Sequence, residues 1–370
     1  MIRRNLLALA AGVTLAGVTL APFLGGQASA QDRTYKILGV GDVMMGSDYP
    51  QPIMDARVTP GADPASMIGP ELARILSDAD VTFGNMEGTL HTANDGAKRC
   101  GNPQYCYTFR SPPWHAEVLR RVGFNMMSQA NNHAGDFGPH GRIETHRNLT
   151  RAGIVSAGAD QDGMRTGILT LKDGTKVGLA AFGHNPGLVW NNDYGRITAI
   201  IRELKRQANV VIASCHAGAE GGAVLHLTKA TEMYLGENRG DVYRFGHVAV
   251  DAGADIVFCH GPHVPRAVEV YKDRFIAYSL GNFWTYGRFN LKGHQAMAPI
   301  AEVIVDKSGK LRAARIISAK QEMPGGPRID PGHTAARAIA ELTASDVPES
   351  RTVVAPDGRI SWPGMTRASR

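Results

Sequence analysis

The sequence predicts a layered α/β fold with mixed sheets, and three observations carry that prediction. Short apolar, β-branched runs alternate with segments of helical period, as strands and helices do when they stack in layers. Apolar pairs around Asp173-Gly174, Lys272-Asp273 and Ser308-Gly309 add hairpins, so some neighbouring strands must be antiparallel. Several strand-like runs end in polar clusters, and α/β sheets bind their ligands beyond such ends. The composition is globular, with 43% hydrophobic and 20% charged residues over 370 positions. That length suffices for one large domain with a sizeable core.

The first thirty residues have the parts of a signal peptide. Arg3 and Arg4 are the charged start, Leu6 to Leu24 the apolar stretch, and Ala28-Ser29-Ala30 a small-residue cleavage site before Gln31. The apolar stretch nearly spans a membrane, but the cleavage site at the right place argues for removal over anchoring. Arg3-Arg4-Asn5-Leu6-Leu7 also looks like a twin-arginine export signal, with Ile2 where a Ser or Thr is usual. The expectation is an exported protein, periplasmic or associated with the cell envelope. In that oxidising setting Cys100 and Cys106, which bracket a short Gly/Pro loop, are expected to form a disulfide. Cys215 and Cys259 each end an apolar run directly before a histidine, and their pairing stays open.

The elements follow in order. Strands are expected at 35–40, 81–83, 125–128, 154–156, 210–215 and 255–259, with helical spacing at 68–79, 114–122, 143–152, 196–207, 243–252 and 333–343. Hairpins join 167–172 to 176–182, 268–271 to 275–279, and 301–305 to 311–317. One domain is expected over 33–325, followed by a C-terminal extension over 326–370. The net charge of +6 is scattered, with no Lys/Arg stripe interleaved with aromatics, so nucleic acid is not an expected partner. A nucleophile elbow, a P-loop and zinc-ribbon cysteine pairs are all missing from the sequence.

The chemistry sits at successive strand ends: Asp42, Glu87, Asn132-His133, His216, and His260 with His263. A lone strand-end Asp is usually a turn or cap residue, and a lone His is usually structural. Carboxylate, amide oxygen and imidazole gathered at one sheet edge are instead the ligand set of Zn, Mn or Fe. Arg110 and Arg266 are candidates to hold an anionic substrate, because a guanidinium pairs carboxylate or phosphate bidentately.

These residues fall in ordered motifs that resemble the CapA (PGA_cap, poly-γ-glutamate capsule) family, a branch of the calcineurin-like metallophosphoesterase fold. The motifs are Gly41-Asp42-Val43-Met44-Met45-Gly46, Asn85-Met86-Glu87-Gly88, Phe109-Arg110-Ser111-Pro112-Pro113, and Ala130-Asn131-Asn132-His133 with Asp136 and Gly138. His260-Gly261-Pro262-His263-Val264 and Tyr278-Ser279-Leu280-Gly281-Asn282-Phe283 complete them. The resemblance implies a four-layer α/β/β/α core. It implies that Asp42 binds a first metal, Glu87 replaces a bridging Asp, and Asn132 binds a second metal. His216 and one or both of His260 and His263 complete the shell. His133 and Glu220 take catalytic roles, His133 as general acid or charge stabiliser, and Asn131 joins the substrate-binding candidates. Met44 stands where the phosphoesterase pattern has His, and the last two histidines are three apart instead of two. One or two ions therefore both stay open. The fourth motif, His216-Ala217-Gly218-Ala219-Glu220-Gly221, keeps its Glu but lacks the family's flanking aromatics.

The function expected from the resemblance is a metal-dependent hydrolase acting on an anionic or peptide-like polymer in capsule synthesis, attachment or trimming. Membrane proteins of capsule synthesis are the implied partners. A non-catalytic polymer-binding accessory and a metal-dependent peptide epimerase are the alternatives.

Overall fold

The structure, a computed structural model, describes Met1, residues 33–99 and residues 106–365. Residues 2–30 of the expected signal segment, and Cys100, lie outside the described residues. The first half of the chain forms β1 (Thr34–Met44), α1 (Pro64–Ile68), α2 (Pro70–Ser77), β2 (Val81–Met86), α3 (His115–Val122), β3 (Met126–Ser128), α4 (Gly138–Arg151) and β4 (Val155–Ala157). Next come β5 (Thr166–Thr170), β6 (Lys176–Gly183), α5 (Tyr194–Gln207), β7 (Val210–His216), the hairpin β8 (Glu232–Tyr234) and β9 (Glu237–Gly240), and α6 (Val242–Ala252). The last third holds β10 (Ile256–His260), β11 (Val268–Tyr271), β12 (Arg274–Ala277), β13 (Asn282–Thr285), β14 (Ile300–Asp306), β15 (Leu311–Ile317) and α7 (Thr334–Asp346).

Two mixed sheets carry the fold. The seven-stranded sheet has the order β15-β14-β1-β2-β3-β4, with β13 beside the end of β1. The six-stranded sheet has the order β11-β12-β10-β7-β6-β5. β1, β2 and β3 run parallel, as do β6, β7 and β10, while the hairpins add antiparallel edges. β7 and β10 are buried at every position. A central parallel strand covered on both faces needs that unbroken apolar run.

Three apolar layers separate four structural ones. Tyr35, Phe83, Leu179, Ile212 and Phe258 fill the space between the sheets. Ile197 and Ile201 of α5 and Phe245 and Ala249 of α6 cover the outer face of the second sheet. Met67, Leu72, Leu119 and Leu149 of α1–α4 cover the outer face of the first. The architecture is thus the α/β/β/α sandwich. Helix starts follow from capping: Asp193 accepts the Arg196 N–H at 3.0 Å, and Asp241 accepts the Arg244 N–H at 2.9 Å.

Three features depart from the expectations. The helix expected over 68–79 starts instead at Pro70 and ends at Ser77, and Ile68 closes a separate short helix, because Pro70 has no N–H to continue that one. β1 continues to Met44 because its end pairs with β13, Asp42 opposite Asn282. Residues beyond 325 are not an appended extension. Ala336 and Ile339 of α7, with Val354, Ile360 and Trp362, are buried in the same layer as the strands of both sheets.

Phe258 is the keystone of the inter-sheet layer. Its ring stacks on Phe83 at 5.5 Å and occupies the space that a Cβ on Gly39 would need. Phe258→Ala is expected to cost about 3–5 kcal/mol, read from urea unfolding. A loss below about 1 kcal/mol would show that the sheets can close on the gap.

Candidate metal centre

Both sheets deliver polar residues to one end. Asp42 arrives at the end of β1 because Gly41 lets the chain pass against the carbonyls of Leu280 and Gly281, where any Cβ would collide. The Asp42 N–H then donates to the Gly281 carbonyl at 2.9 Å. His216 and His260 end β7 and β10, which are in register, so the two imidazoles are neighbours across the second sheet. His263 follows three residues later with a positive φ of 58°, which turns it back toward Asp42.

Asp42 is fully buried. Its Oδ1 accepts from Asn85 Nδ2 at 2.8 Å and lies 3.5 Å from His260 Nδ1, while Oδ2 lies 3.0 Å from His263 Nδ1. His263 Nε2 is 3.5 Å from Glu87 Oε1 on the other side. One donor atom each from Asp42, Glu87 and His263 lie within 4.8 Å of one another. Burial raises the Glu87 carboxyl well above its ordinary value, and the nearby Asp42 charge adds to this. Burial would also raise Asp42, but His263, His260 and Asn85 outweigh it and hold Asp42 below the usual carboxylate range. Burial would lower His263, but Glu87 and Asp42 outweigh it and push it up to about 10. His260 falls to about 4 and His216 falls well below its ordinary value, both chiefly through burial.

The residues present fit a cation. Both Glu87 oxygens, His216 Nε2, both His260 ring nitrogens and Asn132 Oδ1 are buried and make no hydrogen bond, and Asp42 Oδ2 faces the His263 ring at 3.0 Å. Buried polar atoms are normally paired, and a convergent set of oxygen and imidazole acceptors suits Zn, Mn or Fe. Met44 is buried where the phosphoesterase pattern has a ligand, and its backbone pairs with Thr285.

A cavity of about 370 Å³ reaches this set at Asn132 and is lined among others by Lys98, His133, Asn185, Glu220 and Arg239. His133 Nδ1 faces Asp136 Oδ2 at 2.8 Å, and Asp136 Oδ1 pairs with Lys98 at 2.6 Å. Glu220 Oε1 accepts from Asn132 Nδ2 at 3.3 Å and pairs with Arg239. Aromatic rings from outside the fourth motif pack beside the site. Phe109 lies 4.2 Å from the His133 ring and 5.4 Å from Phe289, which lies 5.5 Å from His263.

The substrate candidates separate from the metal set. Arg266 is buried and bidentate on Glu232, at 2.7 and 2.9 Å. Arg110 is buried and bound to Asp48 at 2.7 Å and to the Ala93 carbonyl at 2.8 Å. Asn131 is buried and braces Asn85 at 3.1 Å and the Met86 carbonyl at 2.7 Å. All three side chains are committed within the protein, so none is free to clamp a substrate. Arg266 instead anchors the β8–β9 hairpin that carries Arg239. The residues that sequence reasoning missed are Arg239, Lys98, Phe289 and His184. His184 follows the end of β6 and receives the Arg239 Nη1 donor at 2.9 Å, so the strand-end rule could have found it. Arg239 lies in a hairpin without a motif. Cys215 and Cys259 form a disulfide between β7 and β10. Cys106 is also disulfide-bonded, and its expected partner Cys100 lies outside the described residues.

The layered sandwich with its site at the strand ends places the protein in a structural class, and the sequence comparisons place it in a family. The chain belongs to the family described as bacterial capsule synthesis protein PGA_cap, whose model matches residues 36–286. It is 28% identical over 268 residues to the PGA biosynthesis protein CapA of Bacillus subtilis, covering 67% of this chain and 64% of that one. It is 29% identical over 183 residues to the capsule biosynthesis protein CapA of Bacillus anthracis, covering 45% and 41%. The chain therefore spans less than two thirds of the length of these curated relatives. Among solved structures, a 5'-nucleotidase precursor from Thermus thermophilus matches with a TM-score of 0.41 at 12% identity, over 80% of this chain and 54% of that one.

Two outcomes are expected. His263 carries a proton at neutral pH, since its pKa is raised from 6.5 to about 10. In metal-free protein this contributes stability in full below 6.5, which is lost as pH rises through about 10. A metal needs the imidazole deprotonated, so metal affinity should rise with pH and binding should release protons. Calorimetry in buffers of differing ionisation enthalpy reads this, and pH-independent affinity would remove His263 from the site. Arg266→Ala is expected to cost about 3–5 kcal/mol in unfolding free energy, because it strands buried Glu232. A fully stable Arg266→Ala protein would return that residue to the substrate candidates.

Proposed function

We propose that this family member is an exported, metal-dependent hydrolase that cuts an amide-linked acidic polymer of the cell envelope, in the manner of poly-γ-glutamate trimming or transfer. The observation that carries the reading is the set of buried acceptors without hydrogen bonds on Glu87, Asn132, His216 and His260, gathered beside the buried Asp42–His263 pair. Asp42, Glu87 and His263 would hold a divalent metal, which would supply Lewis acidity to the site.

The remaining work falls to protein groups. Asp136 holds His133 through Nδ1, which leaves Nε2 facing the cavity that His133 lines. There Nε2 would take the proton released by the attacking water and pass it to the leaving nitrogen. Lys98 holds Asp136 in place through its other carboxylate oxygen. Glu220, tied to Arg239 and Asn132, orients the amide that would ligate the ion. Phe109 and Phe289 stack on each other between the His133 and His263 rings. An amide substrate is favoured over a phosphate ester because the cations lining the cavity, Lys98 and Arg239, are already matched by Asp136 and Glu220. Export is supported by the amino-terminal sequence and by the Cys215–Cys259 disulfide.

The test pairs metal analysis with turnover of a γ-glutamyl oligomer. Asp42→Ala and His216→Ala should lose the bound metal. His133→Gln should keep it and lose turnover by about 10²–10⁴-fold. Wild-type protein that takes up no Zn, Mn or Fe would end the hydrolase reading. Metal uptake and oligomer binding without turnover would leave a polymer-binding accessory, and solvent deuterium in uncleaved peptide would indicate an epimerase.

A further inference from the structure

Arg142, in the second turn of α4, is a cation with space made for it but no acid to match it. Its guanidinium lies against two glycines in loops that lead from the site. A Cβ built on Gly135 would fall 3.4 Å from Nη1, and one on Gly187 would fall 2.5 Å from Nη2. Gly135 lies between His133 and Asp136, and Gly187 lies two residues beyond Asn185. Gly187 also has a φ of 86°, so both its backbone and its lack of a side chain serve this packing.

The head is half-buried, and no described residue accepts a hydrogen bond from it or forms an ion pair with it. Burial alone lowers its pKa, with no acidic neighbour to offset the effect. Asp160 is close by along the chain path, since its N–H donates to the Gly187 carbonyl at 2.8 Å. Its carboxylate, however, is engaged by Arg165 at 2.7 Å and Arg196 at 2.5 Å. The two cations that line the cavity, Lys98 and Arg239, each have a carboxylate. A partly desolvated guanidinium without an anion is costly, and its planar fork matches a carboxylate.

The same loop offers a complementary acceptor. Asn185 lines the cavity, and its Oδ1 is buried without a donor. A ligand that satisfies both groups must bring an anion and an N–H. A phosphate-linked polymer brings only the first.

We propose that Arg142 and Asn185 form a subsite for an acidic, amide-linked chain running out of the cavity, with Arg142 pairing a free carboxylate and Asn185 Oδ1 accepting an amide N–H. This deepens the substrate class of the reading above and rests on it for the position of the chain, but not on the metal.

The test is fluorescence anisotropy with labelled hexa-γ-glutamate and a labelled glycerol-phosphate oligomer, on metal-loaded and chelator-treated protein. Wild type should bind hexa-γ-glutamate saturably in both states. Arg142→Gln should weaken that binding about tenfold or more, and Arg142→Lys should recover part of it. Arg202→Gln, which removes an exposed charge from α5, should change it less than about twofold. Asn185→Ala should weaken glutamate binding and leave the glycerol-phosphate oligomer unaffected. Thermal melts confirm that each variant is folded. The subsite is overturned by wild-type protein that binds no hexa-γ-glutamate, by Arg142→Gln that binds it like wild type, or by an Arg142 effect larger on the phosphate oligomer. Failure of the metal reading alone leaves these binding results standing, because the chelated arm reads them independently.

Discussion

The passage of β1 against the Leu280-Gly281 segment is the contact on which the site depends. Gly41 has no room for a side chain there, and the next residue, Asp42, donates its N–H to Gly281. Gly281 follows the last strands of the second sheet and leads into β13, which pairs with β1. One close backbone crossing thus stitches the two sheets together at their ligand-bearing ends. It sets Asp42 of the first sheet against His260 and His263 of the second. A sandwich held only by the apolar layer between its sheets would tolerate sliding. The crossing removes that freedom where the chemistry requires it.

Gathering these groups is costly. Each buried ion loses several kcal/mol of solvation, and here Asp42 and Glu87 are fully buried a few ångströms apart. Without a metal, the arrangement is relieved by a proton on His263 and by a raised Glu87 pKa. Those shifts follow from two buried carboxylates gathered around one imidazole, an arrangement that a cation also fits. The surroundings are correspondingly stiff. Asn131 braces Asn85, Asn85 braces Asp42, and Arg266 with Glu232 fixes the loop and hairpin that carry Glu220 and Arg239.

The metal-ligand candidates were legible in the sequence for a physical reason. A strand of a buried parallel sheet is mostly apolar until its end, so Asp42, Glu87, His216 and His260 stand out as the carboxylates and imidazoles that close such runs. The layers were legible for the same reason, since the alternation of strands and helices survives in periodicity. Charge roles were not legible. Arg110 and Arg266 read as substrate clamps because a guanidinium in isolation looks available, yet Asp48 and Glu232, distant in sequence, hold both. Arg239 and Arg142 carry no motif, and only the folded chain shows which has an acid and which does not. The C-terminal segment read as an extension because Pro and Gly hide its apolar residues, although Ile339, Ile360 and Trp362 are buried with the core.

The disulfide bears on the same site. Cys215 and Cys259 are register partners on adjacent parallel strands, each directly before a site histidine. Side chains alternate across a strand, so the sulfurs lie in the outer apolar layer with Phe245 while His216 and His260 point the other way. The bond therefore holds the two histidine-bearing strands together without occupying the site. It also closes a loop with a sequence separation of 44 that contains Glu220 and the Arg239 hairpin. In the chain-entropy view, such a loop is worth about 4 kcal/mol. That constraint falls on a segment containing a long irregular stretch between β7 and β8, where few ladder hydrogen bonds are available to order the chain. The cavity wall thus draws its order from a covalent bond on one side of the sheet and a buried ion pair, Arg266 with Glu232, on the hairpin itself.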